Sequence, residues 1–191
     1  MIIGITGGTG CGKTTLLNCI EKKGGMILDC DAIYHDLLQT DKALISAIEA
    51  RFPGVVEKGE LQRKKLGNIV FSDEKALSDL NAITHAAVKA EVERLLAEEP
   101  RLAAIDAIGL FEGGLAELCH TTVAVTAPTE DRVRRLMARD GISEEYARKR
   151  IAAQHSNEDF SAMCQYTLEN NSNLRDFHAK CLAFLDEFSI M

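Results

Sequence analysis

Short apolar runs alternate along the chain with stretches in which apolar residues recur every three or four positions. The first pattern is typical of buried parallel strands, and the second is typical of amphipathic helices. Together they predict an α/β fold in which strands and helices follow one another along the chain. The runs with strand character are residues 2–5, 26–28, 102–106, 122–127 and 166–168.

Two stretches carry the helical pattern without an intervening strand. Residues 35–99 predict a helical module inserted between the second and third strands. Further along, a helix that begins after Pro128 is predicted to end at Gly141, and Ser143 is predicted to begin another. These two short helices are rich in arginine, and we interpret them as a lid. A chain of 191 residues is long enough for one domain with such insertions.

The composition is that of an ordinary globular protein, with 46% hydrophobic and 27% charged residues. No apolar run approaches the roughly 18 residues of a membrane span, and the N-terminus does not match a signal peptide. A cytoplasmic location without a membrane partner is therefore expected. Six scattered cysteines without a C-x-x-C pair indicate reduced thiols. A net charge of −7 argues against nucleic-acid binding, and the oligomeric state is left open.

A glycine-rich segment follows the first strand and opens the first helix. It reads G-x-x-x-x-G-K-T, the P-loop pattern. Glycines let the backbone wrap closely enough for its N–H groups to point at phosphate oxygens, and the helix dipole adds to the same field. Lys13 is expected to reach the β and γ phosphates, and the Thr14 hydroxyl is expected to bind Mg²⁺. The predicted nucleotide-binding residues of the loop are Gly8, Thr9, Gly10, Cys11, Gly12, Lys13, Thr14 and Thr15.

Carboxylates follow two of the predicted strands. Asp29 and Asp31 come after the second strand, which is expected beside the P-loop strand, and they share one face because side chains alternate. Ligands bind at this edge of an α/β sheet, so Asp31 is a candidate catalytic base. The alternative is that Asp31 caps the next helix. Asp106 ends the third strand and is expected to hold the metal with Thr14, or to lie in a strand-end turn. Glu112 is placed in the same cleft.

Arg132, Arg135 and Arg139 lie three and four positions apart on the first predicted lid helix and therefore share a face. Guanidinium groups arranged in this way can bind a triphosphate and the charge that develops during phosphoryl transfer. The alternative is an exposed basic helix whose charges are only solvated. Residues 132–150 contain seven basic and three acidic side chains, so this segment is locally positive in an acidic protein.

Taken in order, these motifs resemble those of the dephospho-CoA kinase family over nearly the whole chain. The loop alone would indicate only a P-loop nucleotidase. The aspartate pair, the histidine and the Leu-Phe-Glu segment, at these separations, point to the family. The residues that carry the resemblance are GGTGCGKTT at 7–15, Asp29-Cys30-Asp31, Leu61-Gln62-Arg63, Val70-Phe71, His85, Asp106, Leu110-Phe111-Glu112, Arg135 to Asp140, Gln154 and Asn170.

The resemblance implies a three-layer P-loop NTPase fold with a five-stranded parallel sheet, a helical substrate-binding insert and a helical lid. It also implies that the γ-phosphoryl group of ATP is transferred, with Mg²⁺, to the ribose 3′-hydroxyl of dephospho-CoA, the last step of coenzyme A biosynthesis. In this assignment the single kinase domain has its core at about 1–34, 101–130 and 163–191. The insert covers about 35–100 and the lid about 131–162.

The same resemblance implies roles for individual residues. Asp31 would orient the hydroxyl and take its proton, Lys13 would hold the phosphates, and Arg135 would act as a catalytic lid residue. Arg139 would contact the nucleotide. The residues implied to face the acceptor are Asp29, Arg63, His85, Asp106 and Glu112. The sequence departs from the family pattern at Ala86, at Ile108-Gly109, at Cys164-Gln165, and at Asn157 and Phe160, two positions that often hold arginine.

Two rival interpretations concern the class of P-loop protein. Asp106-Ala107-Ile108-Gly109 satisfies the D-x-x-G pattern of nucleotide-switch GTPases, but the chain has no N-K-x-D or T-K-x-D motif to read guanine. A kinase for nucleoside monophosphates or shikimate is the nearer rival. An aspartate beside an attacking hydroxyl can take its proton, whereas an aspartate beside an incoming phosphate would repel it. The aspartate pair therefore favours an alcohol acceptor.

Overall fold

The computed structural model describes residues 1–188, so residues 189–191 of the predicted core segment lie outside the described residues. Five strands form the main sheet, and a separate hairpin adds two short ones. In chain order the strands are β1 (Ile2–Thr6), β2 (Met26–Asp29), β3 (Val56–Glu57), β4 (Glu60–Leu61), β5 (Ala103–Asp106), β6 (Thr121–Thr126) and β7 (Tyr166–Glu169).

Helices occupy most of the remaining chain, and a short 3₁₀ helix at Ala116–Leu118 precedes β6. The α-helices are α1 (Lys13–Lys22), α2 (Cys30–Thr40), α3 (Lys42–Arg51), α4 (Arg63–Val70), α5 (Glu74–Leu96), α6 (Thr129–Asp140), α7 (Glu144–Ala152), α8 (Asn157–Met163) and α9 (Leu174–Asp186).

The main sheet has the strand order β2-β5-β1-β6-β7. β1 pairs in parallel with β5 on one side and with β6 on the other, and β6 pairs in parallel with β7. The predicted P-loop fold with a five-stranded parallel sheet is confirmed. The expectation that the second strand lies beside the P-loop strand is wrong, because β5 lies between β1 and β2. Apolar runs indicate which residues form strands, but a crossover connection can place a parallel strand at more than one position in the sheet.

The chain divides into two compact units. The first contains Met1–Leu28, Glu99–Phe111 and the chain from Leu115 onward. Its core lies between the main sheet and the inner faces of α1 and α9, and each large side chain buried there stabilises the fold by roughly 1.5–3 kcal/mol. The fully buried core residues include Ile3, Ile5, Leu16, Ile20, Val123, Val125, Phe177 and Leu185.

The second unit contains Asp29–Glu98 and Glu112–Gly114. It is helical, as the periodicity predicts, apart from the β3–β4 hairpin. Helix α5 packs against α2, α3 and α4, and its buried side chains include Val88 and Val92. The division of the chain into core, substrate-binding insert and lid stays a prediction. Within residues 1–188, no helix combines the length and the apolar character that a membrane crossing requires.

The two arginine-rich helices form a packed pair in the first unit. α6 ends at Gly141, which has a φ of 66°, and α7 is capped by the Ser143 side chain, as predicted. Val133 and Leu136 of α6 pack against Ala147 of α7. This small apolar contact holds the pair together.

Helix α8 is absent from the sequence prediction because its seven residues are too few to show a helical period. The signal that could have found it is the capping box. The Ser156 hydroxyl accepts the Asp159 N–H, and the Asp159 carboxylate accepts the Ser156 N–H. Phe160 is fully buried, so at this departure from the family pattern an apolar side chain packs into the protein.

Candidate active site

The P-loop joins the end of β1 to the start of α1, and glycines allow two close approaches there. A Cβ on Gly8 would lie 2.1 Å from a guanidinium nitrogen of Arg132. A Cβ on Gly12 would lie 2.3 Å from Asn170 Nδ2, and Gly12 also has a φ of 100°. Only glycine fits such positions without displacing its neighbours. The loop is therefore packed tightly against side chains from distant parts of the chain.

Lys13 and Asp106 are brought together by two adjacent strands. Lys13 Nζ donates to the Gly7 carbonyl at 3.0 Å and lies 3.9 Å from Asp106 Oδ1. Asp106 ends β5, which is the direct neighbour of β1, and the Ile5–Asp106 register sets the carboxylate level with the loop. The side chains of Lys13 and Asp106 are 14% and 18% exposed, so both remain accessible to a small ligand. Thr14, in the first turn of α1, is exposed.

Two of the three predicted lid arginines bind the P-loop itself. Arg132 is only 2% exposed, and its Nε donates to the Thr9 carbonyl at 2.9 Å. Arg135 Nη1 donates to the carbonyls of Gly10 and Cys11 at 3.1 and 3.3 Å. The shared helix face predicted for these residues thus meets the carbonyl side of the loop.

Arg139 lies in a surface ion pair. Its guanidinium donates to both Asp140 oxygens at 2.6 and 3.0 Å, and Arg150 Nη1 donates to Asp140 Oδ2 at 2.7 Å. The bond from Arg139, followed by that from Arg150, lowers the pKa of Asp140 to about 2. The same bond raises the pKa of Arg139. Asp140 and Arg139 therefore both stay charged at neutral pH.

Sequence reasoning missed two residues that hold the loop. The Thr9 N–H donates to Gln154 Oε1 at 2.8 Å, and Asn170 Nδ2 donates to the Cys11 carbonyl at 2.8 Å. Both side chains are more than a hundred positions away from the loop in the chain. Neither periodicity nor local spacing could have indicated them, and only the family resemblance drew attention to Gln154 and Asn170.

The predicted loop residue Cys11 is fully buried. Burial raises the pKa of its thiol, although the nearby charges of Arg132 and Lys13 act in the opposite direction. The side chain is thus a neutral part of the core at neutral pH, and the Cys11 N–H donates to the Gly8 carbonyl at 3.2 Å within the loop.

In the second unit, the two candidate aspartates have different local roles. Asp29 ends β2 and caps α2, with its Oδ1 accepting the N–H groups of Asp31 and Ala32, each at 3.0 Å. Asp31 lies in the first turn of α2 and is exposed. The alternative in which Asp31 is the cap is therefore wrong, and so is the placement of both residues on one strand face. The helix begins at Cys30, so Asp31 is already helical, whereas strand alternation would require the strand to continue through Asp31. Within residues 1–188 the Asp31 carboxylate makes no hydrogen bond or ion pair.

A cavity of about 200 Å³ lies in the second unit. Its walls are mostly apolar, and the predicted acceptor residue Arg63 is one of its few polar groups. Burial raises the pKa of Tyr34 in the same wall, and the positive charge of Arg63 offsets only part of this rise. His85, half-buried on α5, does not line this cavity, and Glu112 is exposed. The cavity is lined by Tyr34, His35, Leu38, Leu61, Arg63, Leu66, Gly67, Val70, Phe71 and Leu80.

The cap at Asp29 gives a prediction that separates folding from substrate binding. Asp29→Ala should destabilise the protein by about 1 kcal/mol, whereas Asp29→Asn should leave the melting temperature unchanged because Asn caps as well as Asp. Thermal unfolding of the two variants measures this difference. If Asp29→Asn melts like the unmutated protein but has a raised KM for the acceptor, Asp29 also contacts substrate. Equal melting of the Ala and Asn variants would contradict the capping role.

Comparisons with known proteins agree with these features. The sequence model of the dephospho-CoA kinase family matches residues 1–176. A dephospho-CoA kinase from Thermus thermophilus is 37% identical over 99% of this chain and 92% of its own length. A crystal structure from the same organism has a TM-score of 0.81 at 35% identity, covering 98% of this chain and 97% of its own. The dephospho-CoA kinase from Campylobacter jejuni has a TM-score of 0.70 at 25% identity, covering 98% and 96%.

Proposed function

This chain belongs to the dephospho-CoA kinase family, and we propose that it transfers the γ-phosphoryl group of ATP to the ribose 3′-hydroxyl of dephospho-CoA through the residues described above. The enzyme is a kinase, and its family sets aside the GTPase, shikimate kinase and nucleoside monophosphate kinase interpretations. The observation that carries the proposed chemistry is the Lys13–Asp106 pair at the mouth of a P-loop. A cytosolic location, with no nucleic-acid partner, is proposed together with this activity.

On the nucleotide side, Lys13 is proposed to hold the β and γ phosphates, with the backbone of residues 8–15 as the cradle. Its charge offsets the negative charge that moves onto the β–γ bridging oxygen as the bond to the γ-phosphorus breaks. Arg135 and Arg139 are proposed to contact the nucleotide. For Arg139 to contact the nucleotide, its guanidinium must release the Asp140 carboxylate and bind a phosphate instead. A guanidinium binds both anions in the same bidentate way.

Thr14 and Asp106 are proposed as the residues that would hold Mg²⁺ when ATP is bound. An exposed hydroxyl and a partly exposed carboxylate fit this ion, because Mg²⁺ takes oxygen ligands and is often held by one or two protein groups plus phosphates and water. Within residues 1–188 no three or more histidine, cysteine, aspartate or glutamate side chains lie together as a metal site. Phosphate and water oxygens would therefore supply the remaining ligands. When bound, the ion neutralises charge on the β and γ phosphates.

On the acceptor side, Asp31 is proposed to receive the proton of the ribose hydroxyl as its oxygen bonds to the γ-phosphorus. An exposed carboxylate outside any hydrogen bond or ion pair within residues 1–188 is available for this role. Arg63, His85, Asp29 and Glu112 are proposed to bind dephospho-CoA. The support for Arg63 is its place in the cavity of the second unit, where apolar walls and one cation suit an acceptor with both apolar and phosphate groups.

An acceptor panel tests the proposal. With Mg·ATP, the protein should phosphorylate dephospho-CoA and leave AMP and shikimate unchanged, as followed by mass spectrometry of the acceptor. The 3′-deoxy analogue of dephospho-CoA is the matched control, since it keeps every group except the hydroxyl that is attacked. Phosphate on this analogue would place the transfer at another atom, and phosphate on AMP or shikimate alone would contradict the proposed acceptor.

A further inference from the structure

Three consecutive carbonyls of the P-loop accept hydrogen bonds from side chains outside the loop. Arg132 Nε bonds to the Thr9 carbonyl at 2.9 Å. Arg135 bonds to the next carbonyl, that of Gly10, at 3.1 Å, and Asn170 bonds to the Cys11 carbonyl at 2.8 Å. All of these groups belong to the first compact unit. The loop is thus held from one side along its carbonyls.

The geometry of the peptide bond converts this arrangement into a direction for the N–H groups. In a trans peptide the carbonyl and the following N–H point in opposite directions, and the described chain has no cis peptide. The Thr9 carbonyl points at α6, so the Gly10 N–H points away from α6. The Cys11 carbonyl points at Asn170, so the Gly12 N–H points away from Asn170. This is the side on which a phosphate can accept them.

Thr9 differs from its neighbours because both of its backbone groups bind side chains from outside the loop. Its carbonyl accepts from Arg132, and its N–H donates to Gln154 Oε1 at 2.8 Å. The same Gln154 oxygen accepts from Arg132 Nη2 at 3.3 Å, so the two side chains also bind each other. Arg132 is on α6, and Gln154 follows the end of α7. We call these two residues the Thr9 clamp.

We propose that Arg132 and Gln154 are positioning residues that fix the two peptide groups on either side of Thr9 and thereby preset the P-loop for the triphosphate of ATP. The inference rests on the proposed function only in taking ATP as the ligand of the loop. Neither residue needs to touch the nucleotide, because each acts through the Thr9 backbone. Gln154 is the better residue to replace, because its Oε1 accepts hydrogen bonds from both the Thr9 N–H and the buried Arg132 guanidinium.

The expected size of the effect follows from the population of the preset loop. Without an acceptor for the Thr9 N–H, the loop samples other conformations, and the apparent Kd for ATP rises by the inverse of the fraction that remains competent. One part-buried N–H left without its acceptor corresponds to about a tenfold change. The chemical step should change little, because the clamp is not part of the reacting groups.

Gln154→Met tests the clamp, since methionine keeps the length of the side chain and removes the acceptor. Calorimetry without dephospho-CoA should show ATP binding weakened about tenfold, and steady-state assays should show a similar rise in the KM for ATP with kcat within about twofold. Gln165→Met is the matched control. It removes the same kind of bond, from the Thr122 N–H to Gln165 Oε1 at 3.1 Å, away from the loop. It should lower the melting temperature as much while leaving ATP binding unchanged.

Gln154→Glu is the rescue variant, because glutamate keeps an acceptor for both Thr9 and Arg132. Its Kd for ATP should stay within about threefold of that of the unmutated protein. The proposal is overturned if Gln154→Met binds ATP normally, if Gln165→Met weakens ATP binding equally, or if Gln154→Glu loses as much affinity as Gln154→Met. These outcomes are ATP affinities measured without dephospho-CoA, so they are independent of the test with different phosphoryl acceptors. Should Gln154→Met fail to fold, Gln154→Leu takes its place because it also removes the hydrogen-bond acceptor, and normal ATP binding by that variant would overturn the proposal.

Discussion

Lys13→Ala is expected to lower turnover by roughly 10²- to 10³-fold or more, because it removes the cation closest to the charge that develops on the leaving oxygen. The structure makes the fold insensitive to this change. Lys13 is partly exposed and takes part in one hydrogen bond to Gly7 and one ion pair of 3.9 Å with Asp106. A partly exposed pair of this kind contributes about 0–1 kcal/mol. The melting temperature should therefore fall by no more than about 2–4 °C.

Lys23→Ala is the matched control for Lys13→Ala. Lys23 lies at the other end of α1 and pairs with Asp186 at 3.3 Å, far along the helix from the P-loop. Its replacement removes one lysine and one ion pair from the same helix, so a similar small loss of stability and full turnover are expected. Turnover of Lys13→Ala close to that of the unmutated protein would exclude Lys13 from phosphate binding, whatever the melting temperatures show.

The elements of the fold could be predicted because local patterns determine them. The apolar runs before the P-loop and before Asp106 indicate buried strands, and Gly141 and Ser143 mark helix ends through their own backbone and side-chain chemistry. The order of strands could not be predicted in the same way. Nothing in the run before Asp29 indicates that β5, which begins 74 positions later at Ala103, would be inserted between it and β1.

The candidate site was predictable where a motif carries the chemistry and unpredictable where distant side chains support it. Lys13 and Asp106 meet because the ends of two parallel strands lie at one edge of the sheet. The carbonyl contacts of Arg132 and Gln154 depend on how α6 and the end of α7 pack over the loop. A shared helix face indicates that arginines act together, but it does not indicate whether they meet phosphate or backbone.

Asp31→Asn is expected to lower turnover by roughly 10²- to 10⁴-fold, the contribution of a positioned general base. A ribose hydroxyl is a weak nucleophile with a high pKa, so its phosphorylation benefits from a carboxylate that orients it and takes its proton late in the transfer. The variant keeps the size of the side chain and removes the proton acceptor. ATP binding should stay near normal, because Asp31 is assigned to the acceptor side of the reaction.

The structure sharpens this test, because the cap of α2 is Asp29 and Asp31→Asn leaves both capping bonds in place. What the variant loses in stability is the attraction between a first-turn carboxylate and the helix dipole, about 0.3–1 kcal/mol. Asp36→Asn is the matched control, since it removes the same charge from an exposed position of the same helix. It should keep full turnover. Unimpaired phosphorylation of dephospho-CoA by Asp31→Asn would remove Asp31 from the mechanism, and an equal loss in Asp36→Asn would assign the effect to the charge of α2 as a whole.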